Sequence, residues 1–185
     1  VADMYPNVVT RLQAFYEAWW TELEPTFKQS TAIYLGHERE NPATLTCHDW
    51  ITTRMTPWNQ SHIRNAMTGE QNTGFWNVKV TEEGLYEIAL RRWPKEADLP
   101  IDAELEPGDP VPGAKAYRTT PGQPFAAVKA TVQIADQQAE TAVAPGDKEA
   151  VFKLRLKPGT TTLSGRFFDA DNNWIGTYYA YVEKL

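Results

Sequence analysis

The chain has 185 residues, 42% of them hydrophobic and 12% aromatic, which is enough to build one well-packed core, so we expect a single domain. Its formal charge is −6, from 24 acidic and 18 basic residues without a long run of one sign, which argues against nucleic acid as a partner. The uncharged stretches are too short for a membrane-spanning helix, and the single cysteine, Cys47, allows neither an internal disulfide nor a thiolate metal cage.

The first predicted element is an amphipathic helix over residues 7–24. Its apolar residues recur at helical spacing, and Pro25 would end it. The apolar stripe consists of Val8, Leu12, Phe15, Trp19 and Leu23. Such an aromatic stripe must pack on something, either the β domain that follows or a partner domain. We expect the first, so that residues 1–30, the helix and its linker, form one unit with residues 31–185.

Residues 31–185 show the two-residue periodicity of antiparallel strands. Val78 and Val80 alternate with polar residues, and a loop at Gly84 leads back into Ile88 and Leu90, which predicts a hairpin. Similar runs cover residues 128–134 and 152–157, and a terminal hairpin is predicted within 167–182. The pattern predicts a mainly β fold, an antiparallel β-sandwich of jelly-roll type with the N-terminal α-helix packed against it. The proline-rich residues 93–123 are interpreted as a long surface excursion.

The first candidate site lies within residues 46–62, where aromatic, amide, imidazole and carboxylate side chains cluster. Its members are His48, Asp49, Trp50, Trp58, Asn59 and His62. In a loop, such residues can hydrogen-bond to hydroxyls and offer flat faces to a sugar ring. Alternatively, the tryptophans are core residues, and His48 and Asp49 fix the loop. The spacing does not match a metal site.

The second candidate is the adjacent set Arg91, Arg92 and Trp93 at the end of a predicted strand. Paired guanidinium groups beside an indole could bind a sulfate or a carboxylate in a bidentate manner. The alternative is that these arginines form ion pairs with Glu96 or Asp98.

Two further motifs are weaker. Residues 169–173 follow part of a calcium-loop spacing, but Trp174 stands where glycine is needed and Ala180 where glutamate is needed, so a polar hairpin turn is the better interpretation. Cys47 and His48 are neighbours, and adjacent residues of a strand point to opposite faces, so they are not expected to form a nucleophile pair. We therefore expect no catalytic, cofactor or metal residue in this chain.

Several blocks of the sequence, in the same order, resemble the C-terminal portion of bacterial arylsulfatases. These blocks are AFYEAWW (14–20), ENPATLT (40–46), HDW (48–50), PWNQS (57–61), GFW (74–76), GLYEI (84–88) and LRRWP (90–94). The resemblance implies an upstream α/β domain that hydrolyses sulfate esters with a formylglycine and a calcium ion. The formylglycine motif is absent here, because Cys47 is followed by His48, Asp49 and Trp50.

The resemblance implies a non-catalytic accessory domain that packs on the catalytic domain of its own parent chain and helps to shape the substrate pocket. The start of the chain, without an initiator methionine, agrees with a piece of a longer protein. The family also implies a periplasmic or secreted location and a sulfated carbohydrate as a further partner. The alternative is a carbohydrate-binding module, which requires at least one solvent-facing tryptophan.

Overall fold

The structure is a computed structural model that describes residues 1–52, 60–69, 72–113 and 119–185. It divides into two compact units, Val1–Thr31 and Ala32–Leu185. None of its described helices is long and apolar enough to cross a bilayer.

The first unit consists of the helix α1, Pro6–Leu23, between two short 3-10 turns, Ala2–Met4 and Glu24–Lys28. Pro6 occupies the first helical turn, where its missing N–H costs nothing. No residue of α1 is buried. Its aromatic rings pack among themselves, with the Tyr16 ring 6.0 Å from those of Trp19 and Trp20, and Trp20 5.2 Å from Phe27. The helix is confirmed, and the surface on which its stripe packs stays a prediction.

In its described residues, the second unit is built from strands, with one short helix, α2, Gln60–Arg64. The strands are β1 Ile33–Leu35, β2 Ala43–Thr46, β3 Trp76–Val80, β4 Gly84–Arg91, β5 Lys129–Ile134, β6 Gln137–Ala142, β7 Ala150–Leu156, β8 Gly159–Phe168, β9 Trp174–Gly176 and β10 Tyr179–Lys184. Further 3-10 turns lie at Cys47–Asp49 and Lys95–Ala97.

The strands form two sheets. One has the order β1-β3-β8-β5-β6, with β9 paired to β8, and the other has the order β2-β10-β4-β7. All pairs are antiparallel except β1 with β3, where Ile33 lies opposite Val78 in a parallel register. The predicted fold class, a mainly β sandwich with an N-terminal helix, is confirmed.

The core lies between the two sheets. Alternate residues are buried, so that Val132 and Phe167 of the six-stranded sheet share one apolar cluster with Ile88 and Val182 of the four-stranded sheet. The outer face of the six-stranded sheet is mostly polar, whereas that of the four-stranded sheet combines polar residues with Leu85, Ala89, Val151 and Tyr181. This division follows from the period-two pattern, because successive side chains of a strand point to opposite faces.

Candidate functional site

The loop predicted as the first candidate site is a 3-10 turn fixed by its own side chains. The Asp49 carboxylate accepts hydrogen bonds from the Thr46 hydroxyl (3.0 Å) and from the Thr46 backbone N–H (3.4 Å). The His48 backbone N–H in turn donates to the Thr46 hydroxyl (3.2 Å), which completes a capping box. His48 and Asp49 are both exposed. The carboxylate of Asp49 therefore has a local structural role.

The tryptophan of this loop lies in the core. Trp50 is 8% exposed, and its ring centroid lies 5.7 Å from that of Trp76 and 5.3 Å from that of Tyr178. His62 is also buried, on α2, and its Nδ1 atom has no hydrogen-bond partner among the described residues. An enclosed indole offers no free face for a sugar to stack on. Trp58 and Asn59 lie outside the described residues.

Arg92 joins four segments of the chain. It has no exposed surface, and its guanidinium donates hydrogen bonds to five backbone carbonyls. The acceptors are the carbonyl oxygens of Ile63 (3.0 Å), Arg64 (3.2 Å), Ile101 (3.2 Å), Ala103 (3.1 Å) and Gln123 (2.7 Å). Burial lowers the pKa of Arg92 to about 10, which leaves the group charged at neutral pH. The carbonyls occupy the two terminal nitrogens that would bind a sulfate or carboxylate.

The neighbours of Arg92 are buried as well. The Arg92 guanidinium lies 4.5 Å from the ring of Trp93, which is only 4% exposed. Arg91 is 5% exposed and forms an ion pair with Glu149 at 3.6 Å. The predicted alternative named Glu96 or Asp98 as the partner, but Asp98 pairs with Lys148 at 2.6 Å. The arginines of the second candidate site thus hold the chain's own segments together.

The same hydrogen bonds anchor residues 93–123, whose described residues between 106 and 121 are exposed, as the interpretation as a surface excursion requires. Ile101 is 1% exposed, and its carbonyl is held by Arg92. The backbone N–H of Gln123 donates to the carbonyl of Arg64 at 2.7 Å. In its described parts this segment is therefore anchored to the sandwich at both ends.

The turn between β8 and β9 is closed by Asp169, as the prediction of a polar hairpin turn requires. One oxygen of its carboxylate accepts from the backbone N–H groups of Asp171 (3.0 Å) and Asn173 (2.8 Å). The other oxygen accepts from the side-chain amide of Asn173 (3.0 Å).

The thiol of Cys47 is 2% exposed, and burial raises its pKa to about 11. Since the thiolate is the reactive form, we expect the folded chain at pH 8 to react with a disulfide reagent roughly a hundredfold more slowly than the urea-unfolded chain. Stopped-flow absorbance of the released thiol measures both rates. A Cys47→Ala, Ser30→Cys chain, with its thiol on an exposed position, serves as the control and should react equally fast in both states. Equal rates for Cys47 in the two states would contradict its assignment as an inert core residue.

A surface that the sequence did not single out lies on the outer face of the six-stranded sheet. The register places Gln133 between Gln138 and Ser164, and Thr131 opposite Arg166. These five side chains line a shallow recess of about 60 Å³, which we call the outer-face recess. Hydroxyl, amide and guanidinium groups here provide hydrogen-bond donors and acceptors over a few ångströms.

An aromatic pair borders the outer-face recess. Trp174 lies opposite Phe168 across β8 and β9, and both rings are partly exposed. The Arg166 guanidinium lies 4.3 Å from the centre of the Trp174 ring, and the Lys129 ammonium 5.0 Å from that of Phe168. Lys129 also pairs with Glu140 at 3.7 Å, whereas no ion pair among the described residues includes Arg166. The border is therefore aromatic and carries a cation that is free to meet an anionic group.

No protein-family model matches the chain, and no curated protein matches it. Among solved structures, a ruminal GH26 endo-β-1,4-mannanase is similar, with a TM-score of 0.38 and 15% sequence identity. The likeness covers 78% of this chain and 26% of the mannanase, so the chain spans about a quarter of that protein's length.

Proposed function

We propose that the chain is a non-catalytic accessory domain of an arylsulfatase-type hydrolase and that it holds a carbohydrate chain on the outer face of its six-stranded sheet. The observation that carries the carbohydrate part is the outer-face recess beside Trp174 and Arg166. Protein surfaces that bind sugars combine an aromatic ring with hydrogen-bonding side chains, because a sugar has an apolar face and a rim of hydroxyls.

The cations at this surface favour a sulfated carbohydrate over a neutral one. A guanidinium presents N–H donors in a planar fork that matches the oxygens of a sulfate. Arg166 is exposed and its stacking on Trp174 restricts its orientation, so less side-chain entropy is lost when an anion binds. The recess itself, lined by Thr131, Gln133 and Ser164, would accept hydroxyl groups of the same sugar chain.

The arylsulfatase part of the proposal rests on the sequence blocks, several of which lie at the centre of the fold. Trp50, Trp76 and Trp93 are buried, and Arg92 binds five carbonyls. These blocks therefore contain residues that stabilise this sandwich. In this proposal the formylglycine and the calcium ion belong to the catalytic domain of the parent chain. The location would be the periplasm or the extracellular space, where sulfated polysaccharides are encountered.

The helix α1 favours a second role, packing against the catalytic domain. Phe15 is 74% exposed and Trp19 48% exposed, so the unit that contains them leaves a large aromatic surface uncovered. Aromatic side chains of this size are enriched in stable protein interfaces. This role is compatible with carbohydrate binding, because the stripe and the outer-face recess belong to different elements of the chain.

Replacing Trp174 by alanine is expected to weaken binding to a sulfated polysaccharide at least tenfold, equivalent to about 1.4 kcal/mol, because both the stacking surface and the support of Arg166 are lost. Arg166→Met should remove the preference for the sulfated over the desulfated form of one polysaccharide while weak binding to the desulfated form remains. Affinity electrophoresis and calorimetry with both forms measure these effects.

The matched control is Lys153→Ala, which removes a cation from the outer face of the other sheet, where it pairs with Glu87 at 3.3 Å. The affinity of the Lys153→Ala chain for the sulfated polysaccharide should equal that of the unchanged chain. Equal binding by the Trp174→Ala chain, or no binding to any polysaccharide by the unchanged chain, would refute carbohydrate binding at this face. Turnover of an aryl sulfate by the chain alone would refute its non-catalytic role.

A further inference from the structure

A second cavity opens at one end of the sandwich, where three turns meet, the β5–β6 hairpin turn and two connections between the sheets. It has a volume of about 460 Å³, and we call it the end cleft. Glu83 contributes from the β3–β4 turn, Asp136 from the β5–β6 turn, and Lys157 from the β7–β8 turn. The volume lies in the range of small-molecule sites, about 300–1,000 Å³.

The interior of the end cleft includes exposed apolar surface from Ala135 and Pro158. Val80, Ile134 and Leu156 also line it, but they belong to the hydrophobic core, and at most 3% of each is exposed. An apolar surface of this kind favours a ligand that itself has an apolar face.

Polar side chains surround this apolar interior. Thr160, Thr161 and Gln137 also line the cleft, and the side-chain amide of Gln137 donates to the carbonyl of Arg155 at 2.9 Å. Hydroxyls both donate and accept hydrogen bonds. The walls can therefore bind a ligand that carries several hydroxyl groups.

The charges of the end cleft balance. Glu83 and Asp136 oppose Arg155 and Lys157, all four are exposed, and no ion pair among the described residues involves any of them. An anionic ligand would meet two carboxylates, and a cationic ligand would meet two cations. A neutral ligand with hydroxyl groups can use both signs, since carboxylates accept and cations donate hydrogen bonds.

We propose that the end cleft binds a neutral saccharide of one or two rings. A sugar ring presents an apolar face to Ala135 and Pro158 and places its hydroxyls among the charged and polar side chains of the walls. This site is separate from the outer-face recess, and it does not depend on the proposed function. It differs from the recess in its ligand, because here the charges cancel, whereas Arg166 selects an anionic group.

The test is a nuclear magnetic resonance titration of the full chain, labelled with ¹⁵N. The probes are glucose, galactose, mannose, cellobiose and lactose, together with glucosamine and glucose 6-sulfate as charged analogues. Saturable shifts are expected at the backbone amides of Asp136, Lys157 and Gly159, with at least one neutral sugar bound more tightly than both charged analogues. Asp136→Ala and Lys157→Ala should each weaken that binding by roughly three- to tenfold, the effect of one lost hydrogen bond.

Asp171→Ala is the matched control, because it removes an exposed carboxylate from the β8–β9 turn, whose side chain does not line the cleft. The Asp171→Ala chain should give the same titration as the unchanged chain. The Trp174→Ala chain, which lacks the aromatic ring beside the outer-face recess, should do so as well. The proposal is wrong if no neutral sugar shifts the turn amides, if a charged analogue binds best, or if the shifts occur only around Thr131 and Arg166. The proposals for the two sites can be refuted separately, because each site has its own variants, ligands and amide signals.

Discussion

An Arg92→Met chain is expected to lose about 4 kcal/mol of its free energy of unfolding, because five backbone carbonyls lose a hydrogen bond at once. Two of them keep a second donor, since the backbone N–H groups of Ala66 and Gln123 bind the carbonyls of Ile63 (3.4 Å) and Arg64 (2.7 Å). A buried polar group left without a partner costs about 1–3 kcal/mol, and these costs add only in part when one side chain serves them all. Equilibrium unfolding in urea, followed by far-ultraviolet circular dichroism, measures the loss.

Arg91→Met provides the matched control for this substitution. Arg91, the last residue of β4, is adjacent to Arg92 and is also buried, but its ion pair with Glu149 spans 3.6 Å, and the carboxylate partner is partly exposed. Its loss should cost about 1 kcal/mol or less. Arg92→Lys should fall between the two, since an ammonium has three donors for five acceptors. Equal destabilisation by the two methionine substitutions would show that Arg92 is not the centre of a hydrogen-bond network.

The second large effect is expected for Trp76→Ala. Trp76 has no exposed surface, packs against Trp50, and donates from its indole nitrogen to the carbonyl of Thr46 at 2.7 Å. Truncating a buried tryptophan to alanine costs about 3–5 kcal/mol, from lost apolar burial and the cavity left behind. Trp76→Phe keeps much of the volume but removes the donor, and should cost about 2 kcal/mol. Urea unfolding of each chain gives the values.

Trp174→Ala is the control, because it makes the same tryptophan-to-alanine change at a different position. Its indole is partly exposed and is stacked by the Arg166 guanidinium, so its removal should cost only about 1 kcal/mol. This small cost also means that a loss of carbohydrate binding by the same variant could not be attributed to unfolding. If Trp174→Ala destabilised the chain as much as Trp76→Ala, Trp174 would be a core residue and not a binding surface.

Strand content was predictable from the sequence, because burial of one face of a sheet imposes a period of two. The prediction that Val78 and Val80 form a hairpin with the strand after Gly84 is wrong. Both strands form, but β3 pairs with β1 and β8 in one sheet and β4 pairs with β10 and β7 in the other, so residues 81–83 connect the two sheets. The parallel pairing of β1 with β3 was not predictable in this way. Ile33 and Val78 are 45 positions apart, and no local pattern encodes which distant strand a three-residue segment will join.

The sequence located the aromatic clusters but not which indoles remain exposed. Trp50 and Trp174 both lie beside polar residues, and only tertiary packing separates them, one between Trp76 and Tyr178 and the other on an outer face. The role of Arg92 was equally hard to predict, because its partners are backbone carbonyls, which every residue has. The outer-face recess could have been found from the polar positions of the alternating runs, but only with the cross-strand register of Thr131 and Arg166 in hand.

The position of β10 has a consequence for the order in which the strands of the domain pair during synthesis. This strand, Tyr179–Lys184, lies inside the four-stranded sheet, between β2 and β4, so more than 130 residues separate Ala43 from its partner Val182. Synthesis proceeds from the N-terminus, so β2 emerges from the ribosome long before the strand that completes its hydrogen bonds. Until residues 179–184 have left the exit tunnel, β2 therefore lacks its strand partner in this sheet and β4 can pair only with β7.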